Sequence, residues 1–391
     1  MVAAEKVEMI LHRQWRLGPL LSTAIAGVLL TFPALVQAAP DAESFHGFAD
    51  VGFAAHSKES THSTGFNTGS FDLYLTPQFD SHVKGLVELI FETTQEGGVA
   101  ADLERIQMGY TFSDNATLWA GRFHTPYGYL NTGFHHGAQI QTALSRPRFL
   151  DFEDKGGILP AHMVGLWGSG KIKIGSDRIT YDIYAGNGPK IVMVRDPITP
   201  STQTPGTLDI NSSGDNNHQA MVGLNLGYEP AGMLDGLRLA VHALSGDVDD
   251  DNATGPGTLR NKTELNITGG SIVYQENDWE VMGEYYSFNN KDKSGTTGSH
   301  SSWANYLQVG RTFTDLTPYL RTEKVELSQL DNYFSMQENG QSYTRHALGL
   351  KYDLNAKASL KFELLNSNFV AEGSRSASSY RSLLAQYAIR F

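Results

Sequence analysis

Cysteine is absent from the 391-residue sequence. Disulfide bonds and thiolate metal ligands are therefore excluded, so hydrogen bonds and buried apolar side chains must stabilise the fold. Charge is also scarce: Asp, Glu, Lys and Arg make up 18% of the chain, with a formal net charge of −12 at pH 7. Because nucleic-acid binding needs a basic surface, an acidic chain of this kind indicates no nucleic-acid partner.

Long hydrophobic runs are missing after the first forty residues. The one run of this kind, "LGPLLSTAIAGVLLTFPALVQAAP", follows two arginines and ends in the small-residue pattern Val36-Gln37-Ala38. A basic start, an apolar centre and a small-residue cleavage pattern are typical of a secretory signal peptide and not of a membrane-spanning helix. We therefore expect residues 1–38 to be a cleaved leader and residues 39–391 to form the exported domain.

Apolar and polar residues alternate along most of the sequence after this run. In "LERIQMGYTF", for example, Ile106, Met108 and Tyr110 share one parity, whereas Arg105 and Gln107 share the other. Alternation with a period of two predicts strands that have one apolar and one polar face. A tilted strand needs about 9–11 residues to cross a bilayer, and the predicted strands have this length or slightly more. We predict sixteen strands, at about 45–57, 69–81, 83–95, 102–112, 116–124, 161–174, 178–188, 217–229, 237–247, 263–276, 279–289, 303–313, 317–328, 343–353, 358–369 and 379–391.

The predicted connections alternate between short and long. "SDNA", "ENDW" and "LNAK" are short, whereas residues 125–160 form the longest connection. Bacterial outer-membrane barrels have this asymmetry, with tight periplasmic turns and longer outside loops. A soluble all-β protein also alternates, but it would have to protect its edge strands. The sequence ends with "AQYAIRF", in which Tyr387, Ile389 and Phe391 share a face; we expect this strand to pair with the first and close the barrel.

In architecture the sequence resembles the Gram-negative outer-membrane porins. The stretch "WAGRFHTPYGYLNTGFHHG" is similar to a segment of the phosphate-selective type, in which a Gly-Arg-Phe strand end is followed by Thr-Pro-aromatic-Gly. The resemblance implies an all-β fold, a 16-stranded antiparallel transmembrane β-barrel whose long third outside loop, 125–160, folds into the lumen as a constriction. It also implies a homotrimer in the cell outer membrane, in contact with lipid and lipopolysaccharide, whose final strand is recognised by the barrel-assembly machinery.

The same resemblance implies a basic wall that faces an acidic constriction loop. The pore-lining wall would consist of Lys84, Arg105 and Arg122, and further lumen-facing candidates by parity include Arg321, Arg345, Glu284 and Glu323. The charged residues of the loop are Arg146, Arg148, Asp151, Glu153, Asp154 and Lys155. Opposed charges orient polar solutes in a narrow gap, although such charges could instead only solvate the lumen. Because acids accompany the single lysine of this loop, we expect passive, weakly selective diffusion of small hydrophilic solutes or ions.

Two other functions remain open from the residues alone. A phospholipase-like barrel enzyme would pair a histidine with a serine, and neither His242 nor His346 has a serine at strand spacing. A non-conducting structural barrel, closed by its own loop, is the second alternative. His124, His135 and His136 are close in sequence, but adjacent residues rarely point at one metal ion. We therefore expect no catalytic residue, no metal and no cofactor.

Overall fold

The computed structural model describes residues 45–391, apart from 59, 61, 94–97, 135–136, 152–155, 196–202, 212–213, 215–216, 250–261, 296 and 374. The expected leader, 1–38, lies outside the described residues. Within them, sixteen strands form one closed antiparallel barrel, and two more strands form a separate hairpin. The predicted 16-stranded antiparallel barrel is therefore confirmed. The described residues include no helix that is long and apolar enough to cross a membrane.

The barrel strands follow the predicted segments closely. They are β1 (Phe45–His56), β2 (Gly65–Leu75), β3 (Val83–Thr93), β4 (Val99–Ser113), β5 (Ala116–His124), β6 (His162–Ile174), β7 (Asp177–Gly186), β10 (Met221–Glu229), β11 (Leu237–Val248), β12 (Thr263–Glu276), β13 (Trp279–Asp292), β14 (Ser299–Arg311), β15 (Leu316–Glu326), β16 (Tyr343–Asn355), β17 (Ala358–Phe369) and β18 (Ser378–Arg390). The hairpin strands are β8 (Lys190–Arg195) and β9 (Gln203–Asp209), and two short helices are α1 (Leu130–Gly133) and α2 (Asn332–Ser335).

The barrel closes where β1 pairs with β18. Ala49 lies opposite Ile389 and Val51 opposite Tyr387 in an antiparallel register. These pairs leave no free edge between the first and last strands, as the predicted role of Tyr387 and Ile389 requires.

Phe391 extends this seam by one residue. Its N–H donates to the Gly47 carbonyl at 3.0 Å, and the Gly47 N–H donates to the Phe391 carbonyl at 3.0 Å. The Phe391 ring stacks on Phe71 with centroids 5.8 Å apart. A Cβ at position 47 would lie 2.3 Å from this ring, so glycine leaves the room that the aromatic side chain occupies.

The barrel has an inverted distribution of polarity. On β17, Phe362 and Leu364 are 48% and 53% exposed, whereas the intervening Lys361 and Glu363 are 0% and 1% exposed. A water-soluble protein rarely exposes a continuous apolar surface while burying charged groups. The arrangement fits a barrel that faces hydrocarbon on the outside and encloses polar groups inside.

Two parts of the chain differ from the sequence prediction. The second strand was predicted at 69–81, but β2 spans Gly65–Leu75 and ends before Pro77. Proline has no N–H for the sheet, and here its carbonyl accepts the Gly85 N–H at 2.8 Å in the turn. The hairpin of β8 and β9 was not predicted, because its short strands lie inside a connection rich in Thr, Pro and Asp.

Deleting Phe391 removes two backbone hydrogen bonds and one aromatic contact, which together stabilise the seam by roughly 2–4 kcal/mol. We expect the deletion to lower the temperature at which the refolded barrel loses its compact mobility on SDS gels. Phe391→Ala keeps the backbone bonds and should lower that temperature less, and Phe391→Tyr is the matched control. Equal unfolding temperatures for the deletion and the unmodified chain would contradict this account of the seam.

Candidate functional site

The candidate site is the lumen, into which the connection between β5 and β6 reaches. This connection, 125–161, hydrogen-bonds to inward side chains of β13, β15 and β17. In the ring of sixteen strands, β15 lies opposite the β5–β6 pair. The loop therefore spans the lumen from one wall to the other.

Glu284 on β13 anchors the first part of the loop. Its side chain is buried and accepts the backbone N–H groups of Tyr129 at 3.2 Å and Leu130 at 2.8 Å. The hydroxyl groups of Tyr286 and Tyr306 donate to the same carboxylate at 2.6 and 2.9 Å. Four donors thus converge on one carboxylate, which satisfies a charge that would be costly to bury alone.

Arg321 and Glu323 on β15 anchor the second part. Arg321 Nε donates to Glu323 at 3.0 Å, and its Nη1 donates to the Ser145 carbonyl at 2.6 Å. Glu323 also accepts the backbone N–H of Arg148 at 2.8 Å and the Tyr343 hydroxyl at 3.0 Å. The ion pair and the loop backbone therefore share one buried network, which fixes the loop in one position.

Lys361 and Glu363 on β17 provide a third anchor. Lys361 Nζ donates to the Ala143 carbonyl at 3.2 Å and also to the Ala138 carbonyl. Glu363 accepts the hydroxyl of Ser145. Neither residue was predicted as a site residue, although both alternate with the apolar side chains of β17, and this alternation assigns them to the lumen.

Apolar side chains of the loop pack against those of the barrel wall and of a second connection. Phe149 and Ile158 are fully buried, and the Phe149 ring lies 5.7 Å from that of Tyr286. The second inward connection, 327–342, contributes Tyr333, whose hydroxyl donates to the Ile158 carbonyl at 2.8 Å, and Phe334. The half of the lumen nearest the long loops is therefore filled by a packed core, and any path for solutes must pass beside it.

The three predicted wall residues lie on β3, β4 and β5 but do not form one cluster. Lys84 Nζ lies 4.9 Å above the Trp119 ring. Arg105 forms an ion pair with the buried Glu88. Lys84 and Glu88 are four positions apart on β3, so the backbone of Lys84 lies about 13 Å along the strand from that of the residue that pairs with Arg105.

Arg122 is the most constrained of the three. Its Nε donates to the Glu104 carbonyl at 2.9 Å, and its Nη2 donates to Asn211 Oδ1 at 2.7 Å. Asn211 follows the β8–β9 hairpin, so a third long connection also contacts the lumen wall. The sequence predicted a basic wall; Arg105 and Arg122 also contact protein groups, and the role of the wall in solute passage stays a prediction.

The loop arginines also contact protein groups. Arg146 is buried and donates to the carbonyls of Leu150, at 2.9 Å, and Phe134. The Arg148 guanidinium donates to Asn339 Oδ1 at 2.8 Å and lies above the Phe369 ring.

The predicted acids of the loop are only partly described. Asp151 closes a helical turn by donating its backbone N–H to the Arg148 carbonyl at 3.1 Å. Glu153, Asp154 and Lys155 lie outside the described residues. An acidic face of the loop opposite a basic wall therefore stays a prediction.

Comparisons with known proteins support the fold. No protein-family model and no curated protein matches the sequence. Among solved structures, the outer-membrane-expressed OmpT of Vibrio cholerae has a TM-score of 0.52 and 13% identity over 88% of this chain and 96% of its own; a trimer form of that protein is also similar, with a TM-score of 0.51. The outer membrane channel DcaP of Acinetobacter baumannii has a TM-score of 0.52 and 10% identity over 88% and 96%. OmpF of Salmonella typhi, in complex with daunomycin, has a TM-score of 0.50 and 12% identity over 88% and 97%.

The class of protein that the fold defines is the outer-membrane type of β-barrel. At 10–13% identity the likeness concerns the fold alone.

Glu323→Gln places an amide NH₂ among three hydrogen-bond donors and should release the loop around Arg148. The Arg148–Phe149 bond is shielded in the docked loop, so tryptic cleavage there reports undocking. We expect cleavage of the refolded barrel to become about tenfold faster, since loss of one buried acceptor costs about 1–3 kcal/mol.

Glu326→Gln is the matched control for this cleavage experiment. Glu326 lies on the same strand but is exposed and forms an ion pair with Lys324 at 2.6 Å. Its substitution should leave the rate unchanged. Equal cleavage rates for the two variants would contradict the anchoring role of Glu323.

Proposed function

We propose that the chain forms a water-filled channel in the outer membrane for passive diffusion of small hydrophilic solutes or ions. The observation that carries this proposal is the closed, inverted barrel: its apolar side chains face outward and its charged side chains face a lumen. The loop 125–161 and its three anchors would act as the constriction. Because the constriction is held by buried networks and not by exposed side chains, we expect a rigid, narrow path.

A polar cleft near the short turns supports a hydrated entrance to the lumen. Its volume is about 470 Å³, and its lining includes Gln139 from the loop tip and Lys351, Asp353 and Arg390 from the barrel. A cleft with both signs of charge suits hydrated ions and polar solutes. It lies on the side of the loop away from the apolar core, where water would enter from the periplasm.

The setting of this channel follows from the same proposal. A secreted barrel with short turns at one end would insert with these turns in the periplasm, surrounded by lipid and lipopolysaccharide. Assembly would use the last strand, with Phe391, as its signal to the barrel-assembly machinery. We further propose a homotrimer, which the trimer form of a structural neighbour supports.

Planar-bilayer recording tests conduction directly. The refolded protein should give stepwise single-channel currents in KCl. Glu284→Gln loosens the start of the loop and should raise the unit conductance by about twofold or more, because the loop occupies much of the lumen. Glu326→Gln is again the control and should conduct as the unmodified protein does. Insertion without any current would favour the non-conducting structural barrel.

Reversal potentials test the expected weak selectivity. Acids accompany cations in the described lumen, as Glu88 does Arg105 and Glu323 does Arg321, so we expect neither sign of charge to dominate. In a KCl gradient the reversal potential should stay far below the Nernst limit for either ion. A reversal potential near the chloride limit would instead indicate an anion-selective pore of the phosphate type.

An enzymatic barrel is the rival from another class. His346 Nδ1 contacts Thr322 at 3.1 Å and not a serine. A different pair, His56 Nδ1 and Ser382 Oγ, is 2.8 Å apart across the seam, but a serine nucleophile also needs an oriented base and an oxyanion site. We propose that this contact is structural. Fatty-acid release from phospholipid by the refolded protein, abolished by Ser382→Ala, would overturn that assignment.

A further inference from the structure

Three potential metal ligands meet where the loop 125–161 leaves and re-enters the barrel. His124 is the last residue of β5 and His162 the first of β6, and the two are directly paired. The Thr125 N–H donates to the Ala161 carbonyl at 2.9 Å just beyond them. The histidine pair thus lies at the base of the loop. The pair was not predicted, because 37 residues separate its members in the sequence.

A β-bulge on β4 brings the third side chain into the same row. Arg105 pairs with Glu88 and Leu103 with Leu89, so Glu104 is the extra residue that the bulge inserts between these two backbone pairs. On the other side of β4, Ile106 pairs with Arg122 of β5. If this antiparallel register is extended by two residues, Glu104 lies opposite His124. Bulges re-aim side chains in this way and are frequent next to functional sites.

The donor atoms of the three residues lie close together. His162 Nε2 is 2.6 Å from Glu104 Oε2. The imidazole rings of His124 and His162 have centroids 5.1 Å apart. One ligand atom from each of the three residues lies within 4.8 Å of the others, and all three residues are buried.

We propose that Glu104, His124 and His162 form a binding site for a divalent transition-metal ion, of which Zn²⁺ is the probe of choice. Two imidazole nitrogens and one carboxylate oxygen are a common zinc ligand set, and they leave a fourth position open. Ligands of a tetrahedral zinc ion are about 3.3 Å apart, so the His162–Glu104 contact needs to open by less than 1 Å. Imidazole donors disfavour Mg²⁺ and Ca²⁺.

Charges of both signs surround the site, so the donor set and not the net charge carries the proposal. Glu88 Oε2 lies 3.8 Å from His124 Nε2 and adds a second carboxylate, whereas Arg105 pairs with Glu88 and Arg122 Nε donates to the Glu104 carbonyl at 2.9 Å. A bound ion would join β4, β5 and β6 at the base of the loop. The site lies on β4, β5 and β6, and the three loop anchors lie on the opposite wall, on β13, β15 and β17. A bound metal ion would therefore fix the base of the loop, where the loop leaves and re-enters the barrel.

Calorimetric titration of Zn²⁺ into refolded, tag-free protein tests the site without interference from lipopolysaccharide. We expect one saturable ion per chain with micromolar or tighter affinity. His124→Gln and His162→Gln should each weaken binding at least tenfold, and Glu104→Gln should weaken it as well. His242→Gln replaces a buried histidine outside the cluster, and His62→Gln disrupts the separate contact of His62 with His56; both controls should bind as the unmodified protein does.

The electron paramagnetic resonance spectrum of bound Cu²⁺ gives a second readout that needs no ligand variant to fold. Hyperfine splitting from two nitrogen ligands in the unmodified protein and in His62→Gln supports the proposal. A spectrum with no or one nitrogen ligand overturns it, as does zinc binding that His124→Gln and His162→Gln leave unchanged, or the absence of saturable binding. None of these outcomes depends on whether the barrel conducts.

Discussion

The pairing of backbone hydrogen-bond groups is the constraint from which the rest of the structure follows. A strand that faces hydrocarbon cannot leave N–H and C=O groups unpaired, so a sheet in a membrane must close on itself. Here the closing pair is β1 with β18, and the reciprocal bonds between Gly47 and Phe391 extend it to the final residue. Once the sheet is closed, the alternation of side chains assigns one parity to lipid and the other to an interior that must be filled or hydrated.

The interior of this barrel is filled unevenly. Around the long loops, Phe149, Ile158 and Tyr333 pack into an apolar core, whereas near the short turns a polar cleft remains. The loop 125–161, which contributes Phe149 and Ile158 to this core, is attached by buried charged groups on β13, β15 and β17. Each of these charges has several hydrogen-bond partners, because a buried carboxylate or guanidinium without them would cost more than the contact contributes. The anchors at one wall and the Glu104–His162 contact at the other hold both sides of the loop.

The sequence predicted the barrel well. The alternation of apolar and polar residues indicates which side chains face lipid and which face the lumen, and the loop lengths indicate which connections are the short turns. All sixteen barrel strands were expected, and the main boundary error, at β2, arose because Pro77 follows the strand and does not interrupt it. The site was less predictable. The alternation of apolar and polar residues assigned Glu284 and Glu323 to the lumen. It could not show that they accept N–H groups of a loop about 155 and 175 residues away in the sequence. Glu104, His124 and His162 come together through the strand register and a β-bulge. Neither feature can be recognised from the periodicity of the sequence.

Accessibility of single spin labels in lipid vesicles tests the central claim most directly, and the lack of native cysteine makes the labelling specific. Cysteines placed one at a time from Ile106 to Phe112 on β4 would be compared for collision with oxygen, which concentrates in lipid, and with a polar nickel complex. Ile106, Met108, Tyr110 and Phe112 are 45–63% exposed on the outer face. The account predicts oxygen maxima at these four positions and oxygen minima at the three between them. Accessibility without this two-residue period, or with the opposite phase, would contradict an inverted barrel in a membrane.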